Sequence, residues 1–151
     1  MTTYFDTSIV IKGYVFEVNS PAAVEILEAN KTPIPFSHIL EIELRTGIRL
    51  KHGRGEITAA EMKAALQAVE NDLASGILSR PEYNLESVFT RAETLSSKHA
   101  ADTLARSTDI LHVAAAVEAG CTNFASFDDR QRKLAAFAGL KVVPALSKRK
   151  K

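Results

Sequence analysis

The feature that most constrains this chain is the repeated alternation of very short apolar runs with longer stretches of helical periodicity. Thr3-Tyr4-Phe5, Ile34-Pro35-Phe36, Ile77-Leu78-Ser79, residues 122–126 and Lys141-Val142-Val143 each read as a strand bounded by turn or capping residues. Strands separated by helices need crossover connections, which favour a mostly parallel sheet covered by helices on both faces. The predicted class is therefore α/β, a three-layer α/β/α sandwich around a small, mostly parallel central sheet.

The intervening segments carry recognisable starts and stops. Asp6-Thr7-Ser8 offers three candidate N-caps before Ile9, Val10 and Ile11. Ser20-Pro21 places a cap before a proline at the first helical position, predicting a helix over about 21–29. Leu40, Leu44 and Ile48 recur at helical spacing within a helix over about 38–52, broken by Gly53-Arg54-Gly55. Thr58-Ala59-Ala60-Glu61 is a capping-box pattern for a helix to about Ser75, stopped by Gly76. Another helix is expected over about 85–97, followed by a poorly patterned stretch to Ser107. Thr108 is the expected cap of a helix from Asp109 to about Ala119, and Asp128-x-x-Gln131 that of a helix over about 129–138.

The length of 151 residues suits one domain, read here as 1–146 with a basic, disordered tail over 147–151. With 46% apolar residues the chain can build a core without staples. The lone Cys121 and four scattered histidines give neither a disulfide pair nor zinc-ligand spacing. Cys121 reads as a small buried residue. No leader-like start and no bilayer-length apolar run is present, so the expectation is a cytoplasmic protein without membrane association. Five of the 19 basic residues fall in residues 140–151, which hold no acid. The other 14 face all 18 acids, so the body is acidic and needs local compensation if it acts on a polyanion.

Four acids stand out when taken together. Asp6 and Asp128 each follow a short apolar strand, Asp109 starts a helix, and Glu43 lies in the early turns of a helix that follows a strand. In open parallel sheets, ligands bind outside the carboxyl ends of the strands, and all four acids are expected at that edge. The helix after Asp109 (Ile110, Leu111, Val113, Ala114, Ala115, Ala116, Val117) is apolar nearly all round, so a carboxylate at its head is costly without a positive partner. Converging carboxylates raise one another's pKa values, and a hard divalent cation such as Mg²⁺ or Mn²⁺ relieves this. Singly, each acid has an ordinary reading as a cap or a solvated residue.

At these residues the sequence resembles the PIN-domain family, and within it the VapC-type toxins of toxin–antitoxin pairs. The opening "YFDTSIVIK", the segment "SHILEIELRTGI" and the segment "RSTDILHVAAAVEAGCTNFASFDDRQRKLAAFAGLKVV" resemble the family's motifs in their order. The resemblance implies a PIN-like fold and Mg²⁺- or Mn²⁺-dependent endoribonuclease activity. It matches Asp6, Glu43, Asp109 and Asp128 to the family's four catalytic, metal-holding acids. It also implies a cognate antitoxin and a homodimer.

Neighbouring residues compete for these roles. Glu41 lies two residues before Glu43, about 200° away on a helix, so only one of them should face the site. Asp129 adjoins Asp128, and the Ser126-x-Asp128 spacing favours the earlier residue, with Ser126 a candidate to hold a site carboxylate. His112, one turn after Asp109, reads as a buried, hydrogen-bonded histidine before it reads as a general base. Thr7 and Ser8 read as caps rather than nucleophiles. Lys12, Arg45, Arg49 and Lys51-His52-Gly53-Arg54 are candidate RNA contacts, with solvated charge the alternative for each. The rival function is a PIN-like binding module acting through a protein partner. A Rossmann-type nucleotide site is excluded because no Gly-x-Gly-x-x-Gly follows the first strand.

Overall fold

The computed structural model describes residues 2–17 and 21–145. In chain order the elements are β1 (Thr3–Phe5), α1 (Thr7–Val10), a 3₁₀ turn (Ile11–Gly13), α2 (Pro21–Ala29), β2 (Ile34–Pro35), α3 (His38–Gly53) and α4 (Ala59–Ser75). They continue as β3 (Leu78–Ser79), α5 (Leu85–Thr103), α6 (Ser107–Glu118), β4 (Asn123–Ala125), α7 (Asp129–Phe137) and β5 (Lys141–Val143). Ser20, the expected cap of α2, and the basic tail over 147–151 lie outside the described residues. The fold is helix-rich α/β with parallel pairing, as the alternation predicts. Its hydrogen-bonded ladders form a three-stranded sheet in the order β1-β4-β5 and a two-stranded sheet of β2 and β3.

The chain divides into two compact units, one of Met1–Tyr4 with Tyr83–Lys151 and one of Phe5–Glu82. In the first, β4 and β5 run parallel with Asn123 opposite Lys141 and Ala125 opposite Val143. The chain enters β4 through the N–H groups of Thr122 and Asn123, which donate to Thr2 O beside β1 at 3.0 and 3.2 Å. Helices α5, α6 and α7 pack on one another, and α7 also lies on β4 and β5. Val88, Leu95, Ile110, Val113, Phe124 and Leu134 are buried there. The apolar circumference of α6 has the predicted consequence, since Ile110 and residues 112–116 are all buried.

In the second unit, β2 and β3 run parallel with Ile34 opposite Leu78. Helix α3 packs against α4 and α1, burying Ile39, Leu40, Leu44 and Ile48 along one stripe. Gly47 permits the close approach of the 3₁₀ turn, because a Cβ there would stand 3.0 Å from Ile11 Cδ1. The Tyr14 hydroxyl donates to Asp72 Oδ2 at 2.6 Å and ties the same segment to α4. The capping box of Thr58 and Glu61 forms as read, and Gly76 ends α4 at φ +83°.

Two helix boundaries depart from expectation. Helix α5 does not stop near Ser97 but continues to Thr103, because residues 98–103 contain no breaker and Thr103 Oγ1 bonds back to His99 O at 2.9 Å. Helix α6 starts at Ser107 rather than Asp109, and Thr108 is not its cap. The Arg106 N–H donates to Asp109 Oδ2 at 3.1 Å, so the carboxylate reaches back from the third helical position and fixes an earlier start.

Candidate active site

In the second unit the chain leaves β1 and enters α1 at Asp6. Asp6 takes an extended backbone conformation and caps the helix, its Oδ2 accepting from the Ser8 N–H at 3.3 Å. The Ser8 hydroxyl donates to the same oxygen. One residue on, the Thr7 hydroxyl donates to Glu43 Oε1 at 2.8 Å across a sequence separation of 36. Asp6 and Glu43, both half-buried, are thus brought to one turn: Asp6 caps α1, and α1's first residue holds Glu43.

Glu41 goes elsewhere. Its Oε2 accepts from Arg45 Nε and Nη2 at 3.2 and 3.0 Å, and its Oε1 from Arg80 Nη2 at 2.7 Å. Arg45 also meets Glu70 at 2.6 Å. The two glutamates therefore have different partners: Glu41 belongs to an arginine network and Glu43 to the head of α1.

The first unit carries the other pair. Asp109 is half-buried in the first turn of α6. Asp128 is exposed and caps α7, its Oδ1 accepting from Arg130 N and Gln131 N at 2.9 and 3.1 Å. Ser126 does not hold a carboxylate as its position suggested. Its hydroxyl accepts from the Asp128 N–H at 3.1 Å and donates to Gln131 Oε1 at 2.8 Å, so it fixes the backbone of the turn instead. Asp129 is the first residue of α7 and is exposed. His112 is 1% exposed, and its Nδ1 shares a 2.8 Å hydrogen bond with the Tyr4 hydroxyl. The Tyr4 ring stacks on Phe124, which makes His112 part of a buried aromatic layer.

Three candidate RNA contacts are occupied by internal ion pairs. Lys12 and Lys51 both bind Glu17, Lys51 also approaches Glu56 at 3.6 Å, and Arg45 is taken by Glu41 and Glu70. His52 Nδ1 lies 3.0 Å from Ile57 O. Arg49 and Arg54 remain exposed, without an acid partner among the described residues. Cys121 is buried, and burial pushes its thiol up to about 11, so it is an inert core residue.

Sequence reading missed Thr7 as the holder of Glu43, and Gln131 and Arg132 behind Asp128. The Thr7 hydroxyl gave no signal, since its partner lies far along the chain. Arg132 did give one: Arg130, Arg132 and Lys133 crowd the first half of α7, the end of a helix where cations are disfavoured.

The donor set is chemically suited to a hard divalent ion, being carboxylate oxygen throughout. Among the described residues, no three His, Cys, Asp or Glu side chains stand close enough together to ligate one ion. No described helix is long and apolar enough to cross a membrane.

The chain is similar to known proteins in two respects. The sequence profile of the PIN domain matches residues 3–137. Among solved structures, FitAcB from Neisseria gonorrhoeae superposes with a TM-score of 0.65 at 16% identity, covering 93% of this chain and 96% of that one. No curated protein matches the sequence significantly. The profile spans nearly the whole chain and takes in all four acids, and PIN domains are generally nucleases that use divalent metal ions. The chain belongs to the PIN domain family.

Proposed function

We propose that this protein is an endoribonuclease that depends on Mg²⁺ or Mn²⁺ and is the toxin of a type II toxin–antitoxin pair. The observation that carries the reading is the convergence of Asp6 and Glu43 on the head of α1, where the hydroxyls of Ser8 and Thr7 hold them. Two half-buried carboxylates held at one turn offer the oxygen ligands that a hard divalent cation prefers. Asp109 and Asp128, each at the head of a helix, complete the set that the family motifs order along the chain.

In this reading Asp6, Glu43, Asp109 and Asp128 hold the metal. The ion, when bound, supplies a water of lowered pKa and neutralises the phosphate. Thr7 and Ser8 keep their hydroxyls on the carboxylates, so they orient ligands and do not attack phosphorus. His112 is spent on Tyr4 and serves the core. The nuclease domain runs over 1–146, in a cytoplasmic homodimer silenced by a protein antitoxin.

The test is cleavage of a structured RNA pool by purified protein with Mn²⁺, beside EDTA-treated protein and Asp109→Asn prepared identically. Discrete fragments should vanish under both controls. The loss in Asp109→Asn should exceed the roughly 10- to 100-fold that follows loss of an outer-shell partner of a metal site. A folded Asp109→Asn that cleaves at the wild-type rate would show the site assignment to be wrong. A wild-type protein that binds Mn²⁺ and cuts nothing would favour the binding-module reading instead.

A further inference from the structure

Behind Asp128 lies a buried cation that no acid among the described residues neutralises. Arg132 is 9% exposed, and its guanidinium makes no ion pair among the described residues. It spends its hydrogen bonds on two backbone carbonyls, Nη1 donating to Ser126 O at 2.7 Å and Nη2 to Pro144 O at 2.6 Å. Burying a guanidinium against neutral partners is costly, and placing it in the first half of a helix adds to the cost. Stability alone is a poor reason to keep it.

Its geometry suggests another reason. Ser126 directly follows β4 and Pro144 directly follows β5, so Arg132 bridges the carboxyl ends of two parallel neighbours. Asp128 hangs from that edge. The Ser126 hydroxyl takes the Asp128 N–H, and Gln131, 0% exposed, takes the Ser126 hydroxyl in turn. The Gln131 and Arg130 N–H groups hold Asp128 Oδ1, while no described group donates to Oδ2. One carboxylate oxygen is fixed, and the other has no donor among the described residues on a side chain that is exposed. A planar fork can join two carbonyls at once, which a lysine ammonium on its flexible stem does not reproduce.

We propose that Arg132 is a positioning residue for Asp128: by tying Ser126 O to Pro144 O it fixes the turn that aims the open Oδ2 at the metal. This rests on the reading of Asp128 as a metal-holding carboxylate. An outer-shell partner of this kind sets metal affinity rather than RNA binding.

The experiment titrates Mn²⁺ calorimetrically into wild type, Arg132→Lys, Arg132→Met and Asp128→Asn, each checked for a cooperative thermal transition. It also follows RNA cleavage against Mn²⁺ concentration. Both Arg132 variants should bind Mn²⁺ about 10- to 100-fold more weakly. Cleavage should recover at high Mn²⁺ with KM for RNA unchanged. Arg132→Lys keeps the charge and guards against a Met variant that fails to fold. A fall in Tm with unchanged Mn²⁺ affinity in Arg132→Lys would overturn the proposal and leave Arg132 a purely structural residue. Full recovery of affinity by lysine would overturn the bridging role. If Asp128→Asn binds Mn²⁺ like wild type, the underlying assignment of Asp128 fails and this inference falls with it. If only Asp128→Asn weakens binding, the assignment stands and the inference alone is refuted.

Discussion

Two glutamates separated by one residue on α3 are sorted by the hydroxyl and guanidinium groups that reach them. Burial pushes the Glu41 carboxyl upward, but hydrogen bonds and charge from Arg80 and Arg45 outweigh it and hold the group below the usual glutamate range. A carboxyl whose folded pKa is depressed stabilises the fold above its unfolded pKa, and that contribution is lost as pH falls through the folded value. Glu41→Gln should therefore cost stability near neutrality and nothing once the wild-type carboxyl is protonated. These groups are partly solvated, so the difference at about pH 7 should be about 0.5–1 kcal/mol. Urea midpoints for the two proteins at neutral and at acid pH check this; a gap that persists in acid would mean that Glu41 acts by packing. The helical angle allows only one of the two glutamates to face a site. It does not decide which, because the deciding Thr7 and Arg80 are distant in sequence. The caps at Asp6 and Asp128 were legible because a cap after a short strand is a local pattern. The support behind Asp128 was not, since it joins β4, α7 and the end of β5.

Among the elements, the capping box of α4 and the glycine stops of α4 and α7 were readable from adjacent residues. The end of α5 was not. Its C-terminal residue after Thr103 is Leu104, at φ +59°, a left-handed conformation in which a Cβ is strained. The Leu104 N–H nonetheless donates to Ala100 O at 2.8 Å, and its side chain is 63% exposed, so little packing repays the strain. Helix stops are usually announced by glycine, and here none is present. Leu104→Gly should relieve the left-handed penalty of about 1–2 kcal/mol. It also gives the unfolded chain more freedom, which offsets roughly 0.5–1 kcal/mol of the gain. The net expectation is a small stabilisation, read as a higher urea midpoint with an unchanged slope. A destabilised variant would show that the exposed leucine makes contacts worth more than its strain. Such contacts would lie on a surface and not in the core of the first unit.

At the scale of the whole molecule the proposed function raises the question of how an acidic body would meet a polyanion. The internal pairs of Lys12, Lys51 and Arg45 with Glu17, Glu56, Glu41 and Glu70 remove cations that the sequence alone offers for RNA binding. Arg91 is likewise held by Glu118 at 2.5 Å. What the sequence leaves in surplus is the run Lys148, Arg149, Lys150 and Lys151. If that run supplies the electrostatic part of RNA affinity, its contribution must follow counterion release. For single strands, log K falls with log salt by about 0.7 for each phosphate neutralised. Deleting residues 148–151 should thus flatten the salt dependence of binding by about 0.7 for each phosphate that the shortened chain no longer neutralises, and weaken affinity most at low salt. Cleavage at saturating RNA should keep its rate, because the four proposed ligands are untouched. Binding is best measured with Asp109→Asn in both the full-length and the shortened chain, so that the RNA survives the titration. Parallel salt slopes would assign the tail to solubility and turn attention to Arg49 and Arg54, two of the exposed cations of the second unit.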